Sequence, residues 1–263
     1  MTLHVASVGE GPPLVLVHGF AMHGGLFAPI VHALAQRHRV HVVDLPGHGY
    51  SVATEGNSIA AVADSVMTSL GSATPATFVG WSYGGLLAQH IALTRPDAVA
   101  ALVEVCTSPR FVAGPDWPHA MTPDTLARFG DELRVSYRLT LQRFLTLQVQ
   151  GSEAGRATLG SLRHALFARN APSPATLAGA LEVLMEADMR GVVAQITAPT
   201  LVVTGSNDAL TPAAAGAWLA RAIPNARHVD IEGAAHAPFL SHRDAFLSNV
   251  RAFLDEHTEF SRA

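Results

Sequence analysis

Two spacings of apolar residues alternate along the first hundred positions. Mainly apolar runs at Leu14–Val17, Val40–Val43, Thr77–Val79 and Ala101–Val105 read as buried strands. Between them, apolar residues recur three and four apart over Leu26–Gln36, Ile59–Leu70 and Gly84–Thr94, the spacing of amphipathic helices. The rhythm returns near the C-terminus, with a strand at Thr200–Val203, a helix at Pro212–Ala222, an alternating run at Arg227–Ile231 and a helix at Arg243–Glu256. Apolar strands that alternate with helices predict an α/β fold with a mainly parallel central sheet and helices on both faces. The alternation at Arg227–Ile231 puts that strand at a sheet edge.

From Ser108 to Ala198 the rhythm breaks, and no convincing strand occurs for about ninety residues. Leu126–Leu147, Leu159–Ala168 and Pro174–Met185 read as helices there. Helices inserted between two strands of a parallel sheet sit on its rim as a lid. The expected organisation is a core in two parts, residues 1–110 and 191–263, interrupted by a helical lid over residues 111–190.

Composition narrows the function classes. The chain has 263 residues, of which 49% are hydrophobic and 14% charged, so it buries a large core and intrinsic disorder is excluded. A net charge of −4 argues against nucleic acid as a partner. Cys106 is the only cysteine, which excludes an internal disulfide framework and argues against a cysteine-based zinc site. The apolar run Leu14–Val17 is far too short to span a membrane, and the N-terminus lacks the basic and apolar regions of a signal peptide. A cytoplasmic monomer is the expectation. All 17 basic residues are arginines. Six of them fall between Arg134 and Arg169 against one acid, Glu153, so the lid is locally basic on a net-acidic protein.

The chemistry centres on Gly80-Trp81-Ser82-Tyr83-Gly84, a G-x-S-x-G pentapeptide between a predicted strand and a predicted helix. In that context the turn holds Ser82 in a strained conformation, and glycines at 80 and 84 let strand and helix approach. A serine nucleophile needs a base, and the base needs an orienting acid. Asp208 follows the strand Thr200–Val203, and His236 follows Arg227–Ile231, so both sit at strand ends as Ser82 does. Asp230 and Glu232 are weaker alternatives for the acid. The loop His18-Gly19-Phe20 after the first buried strand offers the backbone N–H of Phe20 as an oxyanion donor, with the N–H of Tyr83 as the second. His18 and His48 read as structural. No metal or organic cofactor is required.

These residues resemble the α/β-hydrolase superfamily, with Asp44-Leu45-Pro46-Gly47-His48-Gly49 as a further shared turn. Thr107-Ser108-Pro109, Asp116-Trp117-Pro118, Arg143-Phe144-Leu145, Leu147-Gln148 and Ala234-Ala235-His236-Ala237-Pro238-Phe239 resemble, within it, the carboxylesterase family of biotin synthesis. That resemblance implies hydrolysis of the methyl ester of a pimeloyl chain held on acyl-carrier protein. It implies an oxyanion hole at Phe20 and Tyr83, and an acyl channel lined by Phe144, Leu145, Thr146, Leu147 and Gln148 together with Phe20, Ser82, Tyr83 and His236. It also implies lid arginines that dock the acidic carrier. Arg143 and Arg156 stand at matching positions, while Leu139 and Gly160 replace two others, with Arg138 and Arg163 nearby. Phe20 and Tyr83 stand where relatives carry Trp and Leu. Two other readings compete: a general short-chain esterase or lactonase with no carrier dependence, and a non-catalytic receptor on the same fold. Dehalogenases and epoxide hydrolases place Asp where Ser82 stands.

Overall fold

The computed structural model describes residues 2–54, 56 and 58–257. The last six residues of the expected second core segment therefore lie outside the described residues. Seven strands form one sheet: β1 (Val5–Val8), β2 (Pro13–Val17), β3 (Arg39–Val43), β4 (Ala76–Trp81), β5 (Val99–Val105), β6 (Thr200–Gly205) and β7 (Ala226–Ile231), in the order β1-β3-β2-β4-β5-β6-β7. Only β1 runs antiparallel, against β3. The other pairings are parallel.

Every residue of β4 and β6 is buried, which is why those segments read as unbroken apolar runs. The edge strand β7 is half exposed and alternates. The strand that patterning missed is β1. Its sequence, Val-Ala-Ser-Val, is four residues long and mostly exposed at the other edge, so nothing distinguishes it from a loop.

The core helices are α1 (Ala28–Leu34), α2 (Ile59–Leu70), α3 (Tyr83–Thr94), α7 (Ala213–Ala222), α8 (Pro238–Ser241) and α9 (Arg243–His257). The crossover from β2 to β3 runs one way along the sheet and those from β3 to β4 and β4 to β5 run the other. Right-handed crossovers therefore put α1 on one face and α2 and α3 on the opposite one. Packing agrees, since α1 contacts α9 while α2 contacts α3.

Between β5 and β6 the chain inserts α4 (Pro123–Leu147), α5 (Gly155–Ala168) and α6 (Pro174–Glu186). Capping sets two of these starts: Thr122 and Ser173 each accept a hydrogen bond from the backbone N–H three residues on, with proline in the first helical position. One feature of α4 is invisible in the periodicity. Ser136 has φ −137° and ψ 49°, so the helix kinks there.

Glu104 is fully buried in β5, where its Oε2 accepts a hydrogen bond of 3.1 Å from the Gln89 amide of α3. Burial pushes its carboxyl up to about 8, with the Gln89 bond pulling the other way. The folded state thus holds this proton more tightly than the unfolded chain does. The stability it contributes is complete below the unfolded value of 4.5 and is lost as pH rises through about 8. Glu104→Gln is expected to flatten that loss. Urea midpoints measured from about pH 6 to about pH 9 should fall less steeply in the variant than in the wild type. Parallel slopes would refute this account of Glu104.

Candidate active site

At the end of β4 the chain turns sharply into α3, and Ser82 sits in the turn with φ 55° and ψ −116°. This is the left-handed side of the map, costly for any residue with a Cβ. The surroundings enforce it. Ser82 N donates to Val105 O at 2.9 Å, and Thr107 Oγ1 donates to Ser82 O at 2.7 Å. A Cβ on Gly80 would stand 2.5 Å from Gly84 O, and one on Gly84 would stand 2.7 Å from His18 O. Both glycines are therefore steric requirements of the turn.

Asp208 and His236 come from the loops after β6 and β7. The Nδ1–H of His236 donates to Asp208 Oδ2 at 2.8 Å, and both side chains are essentially buried. This bond leaves Nε2 as the nitrogen that can take a proton. Asp208 Oδ1 accepts from the backbone N–H groups of Leu210 (2.9 Å) and Thr211 (3.0 Å), and the Thr211 hydroxyl lies 2.7 Å from Oδ2. Burial alone would raise the Asp208 carboxyl. The His236 charge and the hydrogen bonds from His236 and Thr211 outweigh it and hold the group below the usual carboxylate range.

Cys106 Sγ lies within 4.8 Å of the donor atoms of Asp208 and His236, a grouping that has the composition of a metal site. Its chemistry points elsewhere. Burial first, and then Asp208, pushes the thiol well up, so it stays protonated, and both Asp208 oxygens are already engaged.

Contacts that the motifs do not spell out hold His236 in place. The Trp81 indole N–H donates to His236 O at 2.7 Å, and His236 N donates to Gln148 O at 3.1 Å. Asn207 ties three loops together: its N donates to Ala234 O at 2.9 Å and its side-chain amide to Gly151 O at 2.8 Å. Thr211 is the largest omission from the sequence reasoning, although its place three residues after the acid, before Pro212, is a readable cue.

The loop after β2 approaches the same turn. The backbone N–H groups of Phe20 and Tyr83 have no acceptor among the described residues. His18 is structural: its Nδ1–H donates to Gly19 O at 2.9 Å and its Nε2 accepts from Leu45 N at 3.0 Å. Burial first, then His48, lowers its pKa to about 3, so it is neutral.

Ser82 and His236 open into a narrow cavity of about 60 Å³. Its walls are Phe20, Phe144 and Leu147, joined by Phe129, Leu126 and Leu181 from α4 and α6 and by others that are apolar except Thr125. Phe20 packs edge-on against Phe129 and Phe144, at ring distances of 5.9 and 5.7 Å. The channel expected from the sequence is therefore redrawn. Leu145 is fully buried in the lid, Thr146 faces out, and Gln148 is buried and meets His236 through its backbone, so none of the three lines the cavity. The reason is helical geometry: consecutive residues of α4 point in different directions, and only Phe144 and Leu147, three apart, share the inner face. The Tyr83 side chain also turns away, into a separate recess with His48 and Thr176.

The basic stretch is redrawn as well. Arg134 pairs with Asp131 at 2.9 Å, Arg143 with Glu132 at 3.4 Å, and Arg169 with the buried Asp44 at 2.8 Å. Arg138, Arg156 and Arg163 are exposed and make no ion pair among the described residues.

A nucleophile-elbow turn, a buried His–Asp pair on the loops after β6 and β7 and an inserted helical cap define a hydrolase of the α/β type. Residues 12–243 match the family model for the alpha/beta hydrolase fold, and the chain belongs to that family. It is similar to the pimeloyl-[acyl-carrier protein] methyl ester esterase of Chromobacterium violaceum, with 44% identity across 98% of this chain and 99% of that one. The enzyme of the same name from Nitrosomonas europaea is 41% identical across 94% and 97%. Among solved structures, an esterase from Exiguobacterium antarcticum superposes with a TM-score of 0.85 at 23% identity, covering 96% of this chain and 95% of that one. The enol-lactonase from Burkholderia xenovorans LB400 gives 0.83 at 26% identity, covering 96% of each. No helix among the described residues is long and apolar enough to cross a membrane.

The redrawn cavity gives a direct test. Leu147→Ala should weaken kcat/KM for medium-chain esters by about fivefold, roughly the loss of one or two buried methylenes, while acetyl esters change little. Thr146→Ala should change neither. Equal losses on both chain lengths for Leu147→Ala would make its role one of packing instead.

Proposed function

We propose that this protein is a serine carboxylesterase that hydrolyses the methyl ester of a pimeloyl chain carried on acyl-carrier protein. The observation that carries this reading is the apolar cavity that runs from Ser82 and His236 beneath a lid bearing unpaired arginines. The identity of 41–44% with esterases named for that substrate supports it.

In this mechanism Ser82 Oγ attacks the ester carbonyl as His236 Nε2 takes its proton. Asp208 holds the imidazole in that tautomer and stabilises its charged form. The N–H groups of Phe20 and Tyr83, beside the N-terminus of α3, receive the oxyanion. His236 then protonates the leaving methanol, activates a water, and the acyl-enzyme is cleaved to a free carboxylate. Phe144 and Leu147 guide the chain. Arg156 and Arg163 on α5, with Arg138 on α4, meet the acidic carrier. Arg143 is the weakest of the four expected docking arginines, because Glu132 already engages it. The same reading makes the enzyme a cytoplasmic monomer that meets its carrier one to one.

Ser82→Ala should cost on the order of 10⁶ in kcat, His236→Ala about as much and Asp208→Asn somewhat less, with the fold intact by circular dichroism. Residual activity above a few per cent in Ser82→Ala would mean another nucleophile. The carrier is tested by reversing Arg156 and Arg163 to Glu. On carrier-bound methyl ester kcat/KM should drop about ten- to a hundredfold, and the wild-type rate should fall with added salt. A small nitrophenyl ester should be unaffected. Equal effects on both substrates favour the general esterase, a reading that the likeness to an enol-lactonase keeps in view.

A further inference from the structure

Among the described residues, Arg169 is the one lid arginine with an ion-pair partner in the core. It follows α5 directly, and its guanidinium reaches 125 residues back to Asp44, at the C-terminal end of β3. Its Nη1 lies 2.9 Å from Asp44 Oδ1 and 2.8 Å from Oδ2. The carboxylate is wholly buried and Arg169 is only 19% exposed, so water screens the pair poorly. The same two oxygens accept backbone N–H groups from two core loops: Oδ1 from Gly24 at 2.7 Å and Oδ2 from Tyr50 at 2.9 Å.

Neighbouring contacts tighten the junction. The Arg169 guanidinium lies over the Tyr50 ring, 4.6 Å from its centroid. One turn earlier in α5, Ala165 O accepts a 2.5 Å hydrogen bond from His23 Nε2, and His23 Nδ1 accepts from Gly25 N. A Cβ at Gly25 would stand 3.1 Å from Arg169 Nε, and one at Gly49 would collide with the Asp44 carboxylate, so the loops are shaped around this pair. Loop 18–25 is the one that presents Phe20 to the cavity, and α5 is the helix that carries Arg156 and Arg163.

We propose that Arg169 is a positioning residue: its Nη1, shared between both oxygens of Asp44, fixes α5, and the exposed arginines on it, at a set distance from the loop that presents Phe20. The exchange test below stands on this geometry alone, whereas the substrate test rests on the carrier reading. Losing the latch lets α5 open locally while the sheet and the Ser82 turn stay folded. Docking through α5 then becomes less productive, and chemistry on a small ester is untouched.

The test uses Arg169→Gln, Arg169→Lys and Tyr50→Leu. Tyr50 is 56% exposed, so its replacement removes the stacking platform without threatening the fold, and it carries the test if the Gln variant does not fold. Hydrogen–deuterium exchange across 155–168 should quicken about tenfold in Arg169→Gln, equivalent to ~1.4 kcal/mol of lost local protection, with β4 and α3 unchanged. Tyr50→Leu and Arg169→Lys should move the same way by about two- to threefold. KM for carrier-bound methyl ester should rise about five- to tenfold in Arg169→Gln, with kcat on a nitrophenyl ester within about twofold of wild type. Unchanged exchange in α5 in the folded variants overturns the proposal, as does an equal loss on both substrates. A wild type that shows no preference for carrier-bound over free methyl ester overturns the carrier reading instead, and the exchange result then decides the latch by itself.

Discussion

The turn at Ser82 crowds a strand, a helix and a loop into a space that admits no side chain on either flanking glycine. Everything else in the site is arranged around that crowding. The positive φ of Ser82 holds its side chain off the strand and at the start of α3, where backbone donors gather. The cost of the conformation is offset by the bonds to Val105 O and from Thr107 Oγ1, which belong to β5 and the residues just after it. A buried parallel sheet supplies that rigidity, and a lone hairpin would not.

The lid is a second layer fastened to this frame at two sides. On one side Arg169 and His23 join α5 to the loops after β2 and β3. On the other, the turn after α4 touches the loops that carry Asp208 and His236, through Gln148 O to the His236 backbone and through Gly151 O to Asn207. The lid thus shares hydrogen bonds with the elements that carry Phe20, Asp208 and His236. A cap attached in this way forms one wall of the cavity, and its contacts through Gln148 and Gly151 brace the loops that carry His236 and Asp208.

Strands β2 to β6 were legible because burial on both faces leaves them mainly apolar, and the helices because their apolar stripes are regular. The edge strand β1 and the kink at Ser136 were not, since a four-residue exposed strand and a change in one pair of dihedrals leave no periodic trace. In the site, Ser82, Asp208 and His236 were legible from strand ends and order. The supporting contacts of Trp81, Thr211 and Asn207 depend on which loops meet in space. The lid was legible as helices, but its inward face was not. A contiguous run from Phe144 to Gln148 reads as one lining, whereas a helix turns about 100° per residue and shows the cavity only some of them. Charge was misread for the same reason. Counting arginines between 134 and 169 gives a patch, but the chain folds half of them onto Asp131, Glu132 and Asp44.

The walls of the cavity have a consequence for turnover. An ester is neutral, and under the proposed function its chain would lie against Phe129, Phe144, Leu126 and Leu181. Under the proposed function, cleavage would create an anion beside Ser82 and His236, at the end of a cavity whose lining residues include no arginine to pair with it. A carboxylate left among apolar side chains is far less stable than one in water. On that reading, hydrolysis turns a neutral ligand that suits an apolar channel into a charged one that water solvates better, so the chemistry itself favours release of the product.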